Sequence, residues 1–360
     1  MFSKEEKAQY NRHFILDSIG IEGQEKLKKS KVLVIGAGGL GCPILQYLTA
    51  AGVGTIGIID NDTVDQSNLQ RQILFSIDDI GKPKAICAAK RLQQLNPFIT
   101  FNTYVSFLSS ENALDILPQY DIIVDGSDNF QTRYLTNDAA VLTNKPLVFG
   151  AIFKFEGQIS VFNFKNGPTY RCLFPTPPNA NSIPNCSDIG VLGVLPGIIG
   201  CLQANEAIKI ICNLGEVLSG KLLSFNALNL QQNILKFSKN NDIKITKLID
   251  YDLFCGIRKE AEGNEINSKE LKNKIQKEEI TLIDVRKLIE REHFNIGGKH
   301  IPLHQLNQEI ESLKEINNLI IYCQVGQRSL IAAKIILEKF PQKNVKSLTG
   351  GIEAWKRQQS

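Results

Sequence analysis

The sequence predicts an α/β protein with a large, mostly parallel sheet in its N-terminal part and a smaller α/β domain at its C-terminal end. Short apolar strands alternate with helical segments along the first 150 residues, a pattern typical of parallel sheets covered by helices. A glycine-rich turn at 36–41 joins the first of these strands to its helix. A second alternation of strand and helix begins after a charged stretch near residue 260, which indicates a second domain.

The elements of the N-terminal domain follow from apolar runs and the residues that bound them. The segment 31–36 is apolar after its first residue, as expected of a buried parallel strand, and a helix ends at Asn96 because Pro97 cannot continue it. The predicted strands are 31–36, 54–60, 100–107, 121–125, 146–150, 222–226 and 229–237, with an antiparallel arm at 155–164. The predicted helices are 40–51, 82–96, 111–117, 129–143 and an apolar helix within 190–212.

The stretch 256–268 is predicted to be a linker, because it is charged and has no hydrophobic periodicity. It separates an N-terminal domain of residues 1–255 from a C-terminal domain of residues 269–360. In the C-terminal domain, the sequence predicts strands at 280–286 and 319–323 and a helix at 329–340.

Composition excludes several classes of protein. Apolar residues make up 43% of the 360 residues, as in a folded globular protein, and a net charge of +4 gives no support for nucleic-acid or membrane binding. The apolar stretch 191–212 contains Gln203, Glu206 and Lys209, so it is expected to be a buried helix rather than a membrane span. The eight cysteines lack disulfide-framework spacing and no apolar leader opens the chain, which favours a reducing, cytoplasmic location.

The glycine-rich turn indicates a phosphate near a helix N-terminus. Its glycines, which allow a tight turn and a close approach of the backbone to phosphate, are Gly36, Gly38, Gly39 and Gly41. Asp60 ends the second predicted strand, where its carboxylate can accept hydrogen bonds from ribose hydroxyls. The turn and this acid suit NAD as well as ATP, so they do not decide the ligand by themselves.

Residues further along the chain favour a magnesium nucleoside triphosphate over NAD. Asn68, Arg71 and Lys84 supply an amide and two cations, which can neutralise charge on a leaving pyrophosphate. Asp128 follows the apolar strand 121–125, where its carboxylate is well placed to hold Mg²⁺, an ion that prefers oxygen ligands. Each charge alone would be interpreted as a solvated surface residue, but their order along successive strand ends indicates a site.

The motifs of residues 8 to about 256 closely resemble those of the ThiF/MoeB enzymes, the bacterial relatives of ubiquitin-activating enzymes. The matching segments are Tyr10–Leu16, Gly36–Gly41, Ala51–Thr55, Asp60, Ser67–Gln72, Gly81–Lys84, Asn96–Pro97, Asp125–Asn129 and Glu156–Gln158. The resemblance implies a Rossmann-like fold that uses ATP and Mg²⁺ to adenylate the C-terminal glycine of a small β-grasp sulfur-carrier protein.

The resemblance also assigns roles to individual residues. Asp128 and Arg71 belong to the implied catalytic residues, and the full set of implied nucleotide-binding residues is Gly36, Gly38, Gly39, Gly41, Asp60, Ser67, Asn68, Leu69, Gln70, Arg71, Lys84, Asp128, Asn129 and Arg12. In the family, an arginine matching Arg12 reaches into the ATP site of the partner in a homodimer. Without the resemblance, Arg12 would be interpreted as a surface charge on an N-terminal helix.

Two cysteines depart from the family pattern, in which two Cys-x-x-Cys pairs bind a structural zinc. Where each pair belongs, this chain has one cysteine: Cys172, three residues after Thr169, and Cys255, three residues after Asp252. A closed zinc site needs four ligands, and Cys172, Cys255 and Asp252 supply at most three. We therefore expect that the zinc has been lost. A site completed by a water is the alternative.

Cys186 lies in the polar segment 183–193, just before the apolar helix. The resemblance places it where relatives carry a loop cysteine that attacks an activated carrier or resolves a disulfide, which makes it a candidate catalytic residue. The alternative is a small buried residue, which is common for a free cysteine. The remaining cysteines of the N-terminal domain fall in helical apolar patterns and are expected in the core; they are Cys42, Cys87, Cys201 and Cys212.

A second chemical signal lies near the C-terminus, where Cys323 ends an apolar strand and Ser329 begins a helix. The amides of the loop 324–328, the helix N-terminus and the charge of Arg328 would stabilise a thiolate or persulfide, so Cys323 and Arg328 are candidate catalytic residues. A cysteine–arginine loop also occurs in phosphatases. The flanking motifs favour a resemblance to rhodanese sulfurtransferases over about 266–358; they are Ile283–Arg286, Phe294–Pro302 and Gly350–Trp355.

Together the two signals predict a fused adenylyltransferase and sulfurtransferase. A carrier ending in Gly-Gly would be activated with ATP and would then receive sulfur from a persulfide on Cys323, which a donor such as a cysteine desulfurase would supply. Molybdopterin synthesis, thiamine synthesis and tRNA thiolation all remain open as pathways. The alternatives are activation or docking of a ubiquitin-like protein without sulfur transfer and, as a distant third, an NAD-dependent oxidoreductase.

Overall fold

The structure is a computed structural model that describes residues 1–178, 190–256, 264–277 and 280–358. The chain divides into two compact units. The first comprises residues 1–258 and the second residues 259–360.

The described residues of the first unit form one sheet of eight strands. Their bounds are β1 Lys31–Ile35, β2 Thr55–Ile59, β3 Thr100–Tyr104, β4 Ile122–Asp125, β5 Leu147–Phe153, β6 Glu156–Phe162, β7 Lys221–Asn226 and β8 Gln232–Lys236. The spatial order is β3-β2-β1-β4-β5-β6-β7-β8. The strands from β3 to β5 are parallel, and β6, β7 and β8 extend the sheet in antiparallel pairs. The prediction of a large, mostly parallel α/β sheet is confirmed.

Helices cover both faces of this sheet. Their bounds are α1 Lys4–Gln9, α2 Asn11–Phe14, α3 Gly20–Lys29, α4 Gly41–Ala51, α5 Lys84–Leu95, α6 Ala113–Ile116, α7 Phe130–Leu142, α8 Tyr170–Leu173, α9 Val194–Cys212 and α10 Tyr251–Phe254. Val34 of β1 belongs to a core formed with α4, α5 and α9, and its neighbour Leu33 belongs to a second core formed with α6, α7 and α8. Because successive strand residues face opposite sides, a strand between two helical layers must be apolar throughout, which explains the continuous run in the sequence.

The apolar helix α9 is the one described helix that is long and apolar enough to cross a membrane by length and composition, which is weak evidence on its own. It packs against α4, β5 and β6. Its polar side chains have partners inside the fold: Gln203 Nε2 donates to the carbonyl of Asp125 at 2.7 Å, and Glu206 accepts from the N–H of Leu218 at 3.0 Å. These bonds explain why a core helix carries buried polar residues.

Three strand bounds differ from the sequence prediction by three residues, and the other differences are smaller. β3 ends at Tyr104 rather than at 107. β5 continues to Phe153, where it pairs with Glu156 across a tight connection to β6. β8 begins at Gln232, three residues late, because the turn before it places Leu230 at φ +59°. This turn contains apolar residues, so its sequence resembles the start of a strand. Hydrophobic periodicity alone therefore could not separate the turn from β8.

The described residues of the second unit form a sheet of five parallel strands in the order β11-β10-β12-β13-β9. The strands are β9 Glu265–Ile266, β10 Thr281–Asp284, β11 Lys299–His300, β12 Asn318–Tyr322 and β13 Asn344–Leu348. The helices are α11 Ser268–Lys277, α12 Leu288–His293, α13 Leu306–Glu309, α14 Gln327–Lys339 and α15 Gly351–Arg357.

The segment from Glu265 to Ser268, which the sequence analysis assigns to the linker, contains β9 and the start of α11. A two-residue strand is too short to produce a periodic pattern. The helix start did leave a signal, because Asn267 Oδ1 accepts from the N–H of Glu270 at 2.9 Å and the pair forms an N-terminal cap.

Candidate active sites

A cavity of about 550 Å³ lies at the carboxyl ends of β1, β2 and β4. In parallel sheets this edge is where loops that follow neighbouring strands converge, and ligands bind there. The predicted residues in its wall are Gly36, Gly38, Gly39, Asp60, Ser67, Gln70, Arg71, Lys84, Asp128 and Asn129. Residues separated by more than 90 positions in sequence therefore share one cavity.

The glycines of the turn have different structural roles. Gly36 has φ +88°, a conformation that side chains rarely adopt, and it turns the chain out of β1. A Cβ on Gly39 would lie 3.2 Å from the ring of Pro196, so glycine allows the turn to pack closely against α9. Gly41 does not line the cavity. Its missing Cβ would lie 2.0 Å from the carbonyl oxygen of Gly36, so this glycine serves the packing of the turn against α4.

Asp60 is fixed by the backbone around it. Its Oδ2 accepts from the N–H of Ala37 at 2.7 Å and its Oδ1 accepts from the N–H of Asp62 at 2.8 Å. Burial raises the pKa of Asp60, against the effect of these two bonds and of Lys84. Each carboxylate oxygen has a second lone pair, so a carboxylate held in this way can still accept hydrogen bonds from a ligand in the cavity.

Cationic side chains form part of the cavity wall. Lys84 is buried, and its Nζ lies 3.0 Å from Oδ2 of Asp62, a residue whose side chain is 60% exposed. Arg71 donates from Nη1 to the carbonyl of Ser67 at 3.1 Å, which leaves most of its five N–H donors for another partner. Polyphosphate is the ligand class that such an arrangement of cations beside a glycine-rich turn suits.

Asp128 and Asn129 lie between β4 and α7. Asn129 caps this helix, since its Oδ1 accepts from the N–H of Thr132 at 2.9 Å. Asp128 precedes the cap, is exposed, and lines the cavity. An exposed carboxylate beside a phosphate site fits Mg²⁺, which is commonly held by one or two carboxylates together with substrate phosphates.

Four predicted nucleotide-binding residues lie outside the cavity wall. Gly41 packs within the turn, and Asn68 instead accepts from the N–H of Asp65 through its Oδ1 at 3.2 Å. Leu69 packs against the hydrophobic core. Arg12 is exposed on the short helix α2.

The sequence analysis missed Arg133, which lines the same cavity. Its guanidinium lies 5.5 Å from the ring centre of Phe130 and 5.6 Å from that of Phe149. It also lowers the pKa of Asp125, although burial raises the pKa of this carboxyl overall. A signal existed, because Arg133 follows Asn129 by four residues and therefore lies on the same face of α7. Other wall residues that were missed are Asp62, Gln72, Phe107 and Lys154.

The described cysteines do not form a zinc site. No group of three or more His, Cys, Asp or Glu side chains that could hold a metal occurs among the described residues. Cys172 accepts weak hydrogen bonds from the N–H groups of Thr169 and Asn240, both at 3.4 Å. Cys255 is buried, and burial raises its pKa to about 11. These described residues do not fit a structural zinc.

Four of the other cysteines of the first unit lie in the described part of the chain, and Cys186 does not. Cys42, Cys87 and Cys212 are buried in the first core, and Cys201 of α9 is half-buried. Cys186 lies outside the described residues. The described cysteines are free thiols.

The second site surrounds Cys323, which follows β12 and precedes α14. Its sulfur accepts from the N–H of Gly326 at 3.1 Å and from the hydroxyl of Ser329 at 3.5 Å. Ser329 in turn accepts from the hydroxyl of Ser347 at 2.8 Å. The residue is only 1% exposed, so the sulfur lies in a closed cradle of neutral donors at the N-terminus of a helix.

Arg328 interacts with Cys323, but its strongest partner is Glu290. Its Nη1 and Nη2 donate to the two carboxylate oxygens of Glu290 at 2.8 and 2.5 Å. This paired geometry holds the pKa of Glu290 at about 2. The arginine charge is therefore largely neutralised by a residue of α12, which lies 38 positions earlier in the sequence.

Comparisons with known proteins agree with this description. The model of the ThiF family matches residues 10–245, and the model of the rhodanese-like domain matches residues 267–358. A probable adenylyltransferase/sulfurtransferase MoeZ from Mycobacterium tuberculosis is 42% identical over 99% of this chain and 94% of its own length. The adenylyltransferase and sulfurtransferase MOCS3 of Drosophila yakuba is 41% identical over 97% of this chain and 82% of its own.

Two further comparisons concern a shorter relative and a solved structure. A sulfur carrier protein adenylyltransferase from Thermus thermophilus is 50% identical over 71% of this chain and 99% of its own length. The crystal structure of E. coli MccB superimposes with a TM-score of 0.60 at 22% identity, over 69% of this chain and 74% of MccB. At that identity the likeness supports the fold alone. These matches confirm the resemblance that the motifs indicate.

Proposed function

This chain belongs to the ThiF family, and we propose that it activates the C-terminal glycine of a small sulfur-carrier protein with ATP and then transfers sulfur to it from Cys323. The prediction of an adenylyltransferase combined with a sulfurtransferase is confirmed by the two family matches and by the names of the relatives. The observation that carries the proposal is the cavity at the sheet edge, which gathers Asp60, Arg71, Lys84 and Asp128 around a glycine-rich turn.

In the first step, the glycine carboxylate of the carrier attacks the α-phosphorus of ATP. An acyl-adenylate forms and pyrophosphate leaves. Activation is needed because a free carboxylate is a poor electrophile, whereas AMP is a good leaving group. Arg71 and Lys84 stabilise the negative charge that develops on the pyrophosphate, and Asp60 orients the ribose.

Mg²⁺ would be held by Asp128 together with the phosphates, and when bound it neutralises phosphate charge. Asp128 lies between β4 and α7, is exposed and lines the cavity, so its carboxylate is accessible for this role.

In the second step, the terminal sulfur of a persulfide on Cys323 attacks the acyl carbon. The bond from that carbon to AMP breaks, and an acyl disulfide joins the carrier to Cys323. We assign the next attack to the Cys186 thiolate, which displaces the carrier as a thiocarboxylate and leaves a disulfide between the two cysteines. The closed cradle around Cys323 supports the first part of this sequence, because its N–H and hydroxyl donors stabilise a sulfur anion.

We also propose an oligomeric state, a sulfur donor and a cellular location for the enzyme. Arg12, which is exposed and lies outside the cavity of its own chain, would complete the nucleotide site of the other subunit in a homodimer. A persulfide-carrying protein such as a cysteine desulfurase would supply the sulfur, and the enzyme would act in the cytoplasm. Structural zinc is not part of the proposal.

The experiment that tests the first step is carrier-dependent exchange of pyrophosphate into ATP. We expect exchange with a β-grasp carrier that ends in Gly-Gly, and none with the same carrier lacking its last glycine, because the reacting carboxylate is then misplaced. Carrier binding without exchange would instead indicate a docking protein. Carrier-independent turnover of NADH would support an oxidoreductase.

A further inference from the structure

The positive charge of the sulfur loop is neutralised within the fold. Arg328 is the cationic residue of the loop 324–328, and both of its terminal nitrogens donate to Glu290. The side chains of the two residues remain 33% and 28% exposed, so the pair lies at the entrance rather than in the core. Because Arg328 holds the pKa of Glu290 at about 2, this ion pair is intact throughout the pH range in which the enzyme can be assayed.

The remaining charged contacts of the loop add no free cation. Gln324 accepts from Nη1 of Arg286 at 3.3 Å and donates to Glu353 at 3.4 Å. Arg286 is itself held in a buried ion pair at 2.7 Å by Asp284. Arg291 also pairs with Asp284, at 3.6 Å. These described contacts therefore set three cations against three carboxylates, and the charges around the sulfur balance.

The two shortest contacts of the sulfur come from neutral donors, and Arg328, which also interacts with Cys323, is paired mainly with Glu290. The neutral donors are the N–H of Gly326 and the hydroxyl of Ser329, which Ser347 supports from β13. Neutral dipoles of this kind suffice for a thiolate or persulfide that carries one charge. They do not compensate the approach of a dianion, which needs cations with unpaired charge.

Exposed apolar side chains adjoin both members of the ion pair in sequence. Leu288 and Ile289 immediately precede Glu290 and are 59% and 64% exposed. Val325 of the loop is 48% exposed, and Ile331 of α14 is 52% exposed. Apolar surface beside an entrance with paired charges is more suitable for a donor presented by a protein than for a small hydrophilic anion.

We propose that Glu290 determines which sulfur donor the enzyme accepts: by neutralising Arg328, it makes the Cys323 site discriminate against small dianions such as thiosulfate and favour persulfides. The proposal rests on the assignment of Cys323 as the sulfur-accepting residue. In the favoured reaction, the Cys323 thiolate attacks the terminal sulfur of a donor R–S–SH. The donor S–S bond breaks, R–S⁻ leaves with the electron pair, and Cys323–S–SH forms. With thiosulfate, the same attack would expel sulfite.

The test compares Glu290→Gln with wild-type full-length protein, using thiosulfate and cysteine persulfide as two separate donors. Glutamine keeps the hydrogen bond to Arg328 but removes the carboxylate charge. We expect kcat/KM for thiosulfate to rise about tenfold, and kcat/KM for cysteine persulfide to change by less than about twofold. Glu292→Gln is the matched control, because Glu292 is an exposed residue on the same helix; it should leave both donors nearly unchanged.

Two further measurements test whether the gain of Glu290→Gln comes from the changed charge rather than from a change in folding. The gain of Glu290→Gln should shrink at high salt, because screening weakens the interaction of a partly exposed charge with a dianion. It should also disappear in Glu290→Gln combined with Arg328→Gln, because the gain requires the freed arginine. Equal gains for both donors, or no gain for thiosulfate in a folded Glu290→Gln protein, would overturn the proposal.

Loading of Cys323 is followed by mass, since a persulfide adds about 32 Da to the chain. Cys323→Ser tests the underlying assignment separately. If Cys323→Ser is still loaded with sulfur, the assignment of Cys323 fails and the donor proposal fails with it. If loading requires Cys323 but Glu290→Gln behaves as wild type, the donor proposal alone fails.

Discussion

The nucleotide cavity and the sulfur loop occupy equivalent positions in their two units, but the side chains around them differ in charge. Both lie where a parallel strand ends and a helix begins, after β1 in the first unit and after β12 in the second. The first is an open cavity of about 550 Å³ with cations in its wall. The second encloses Cys323, which is 1% exposed, and the two hydrogen-bond donors closest to its sulfur are neutral.

The difference follows from the charge that each site must stabilise. Pyrophosphate leaves with several negative charges, and backbone dipoles alone cannot balance them, so Arg71 and Lys84 are needed beside the glycine-rich turn. A thiolate or persulfide has one charge, which a helix N-terminus and two or three directed donors can stabilise. A helix that follows a parallel strand supplies the common part of an anion site, and the charge of the surrounding side chains decides which anion the site binds.

The largest effect is expected for Asp128→Ala in the open cavity. Carrier-dependent pyrophosphate exchange should be abolished, because the carboxylate that would hold Mg²⁺ at the leaving phosphates is missing. Asp78→Ala is a suitable control, since Asp78 is an exposed aspartate that does not line the cavity. Near-normal exchange by Asp128→Ala would show that the magnesium assignment is wrong.

A smaller but still large effect is expected for Arg71→Ala. Removal of this cation should reduce the exchange rate by about a hundredfold or more, because the charge that develops on pyrophosphate loses a direct partner. Arg71→Lys should recover part of the rate, since it restores charge without the planar pair of donors. If Arg71→Ala acts as strongly on sulfur loading of Cys323 as on exchange, the two sites are not chemically separate.

Arg12 tests whether the open cavity is completed from outside the chain. Arg12→Ala and Asp128→Ala proteins should each be inactive, and their mixture should recover about a quarter of the sites if subunits exchange at random in a dimer. The measurement is pyrophosphate exchange after demonstrated subunit exchange. Absence of recovery under that condition would count against a site shared between subunits.

The smallest effect is expected for removal of zinc. Purified protein should contain clearly less than one tightly bound zinc per chain, because two of the four thiolates of the family pattern are absent. A chelator should leave thermal stability and exchange unchanged, as measured by the unfolding midpoint and the exchange rate. Stoichiometric zinc that resists the chelator would instead indicate a site with Cys172, Cys255 and Asp252.

Much of the nucleotide cavity could be predicted from sequence because its residues are tied to strand ends. Asp60 and Asp128 each follow an apolar run, and the glycines mark the turn after β1, so the carboxyl edge of a parallel sheet brings them together. Arg133 was missed because it lies one turn into α7, well beyond the end of β4. Asn68 lies outside the cavity wall, where its side chain instead accepts from the N–H of Asp65 in a capped turn.

The charge state of the sulfur loop could not be predicted. Local sequence identifies Cys323, the glycine of the loop and the start of the helix, because these are neighbours in the chain. The partner of Arg328 comes from α12, and nothing in the sequence around either residue indicates that the two meet. Pairing across 38 residues depends on how β10, β12 and their helices pack. Long-range ion pairs of this kind become visible only in the folded structure.

The central claim is that one chain performs activation in its first unit and sulfur transfer in its second. The most direct measurement is the mass of the carrier after incubation with ATP and a persulfide donor, for wild-type and Cys323→Ala proteins. Wild-type protein should convert the carrier to a thiocarboxylate that is about 16 Da heavier, as one sulfur replaces one oxygen. Cys323→Ala should retain carrier-dependent pyrophosphate exchange and form no thiocarboxylate. A wild-type yield of thiocarboxylate from Cys323→Ala would contradict the account, since sulfur would then reach the carrier by another route.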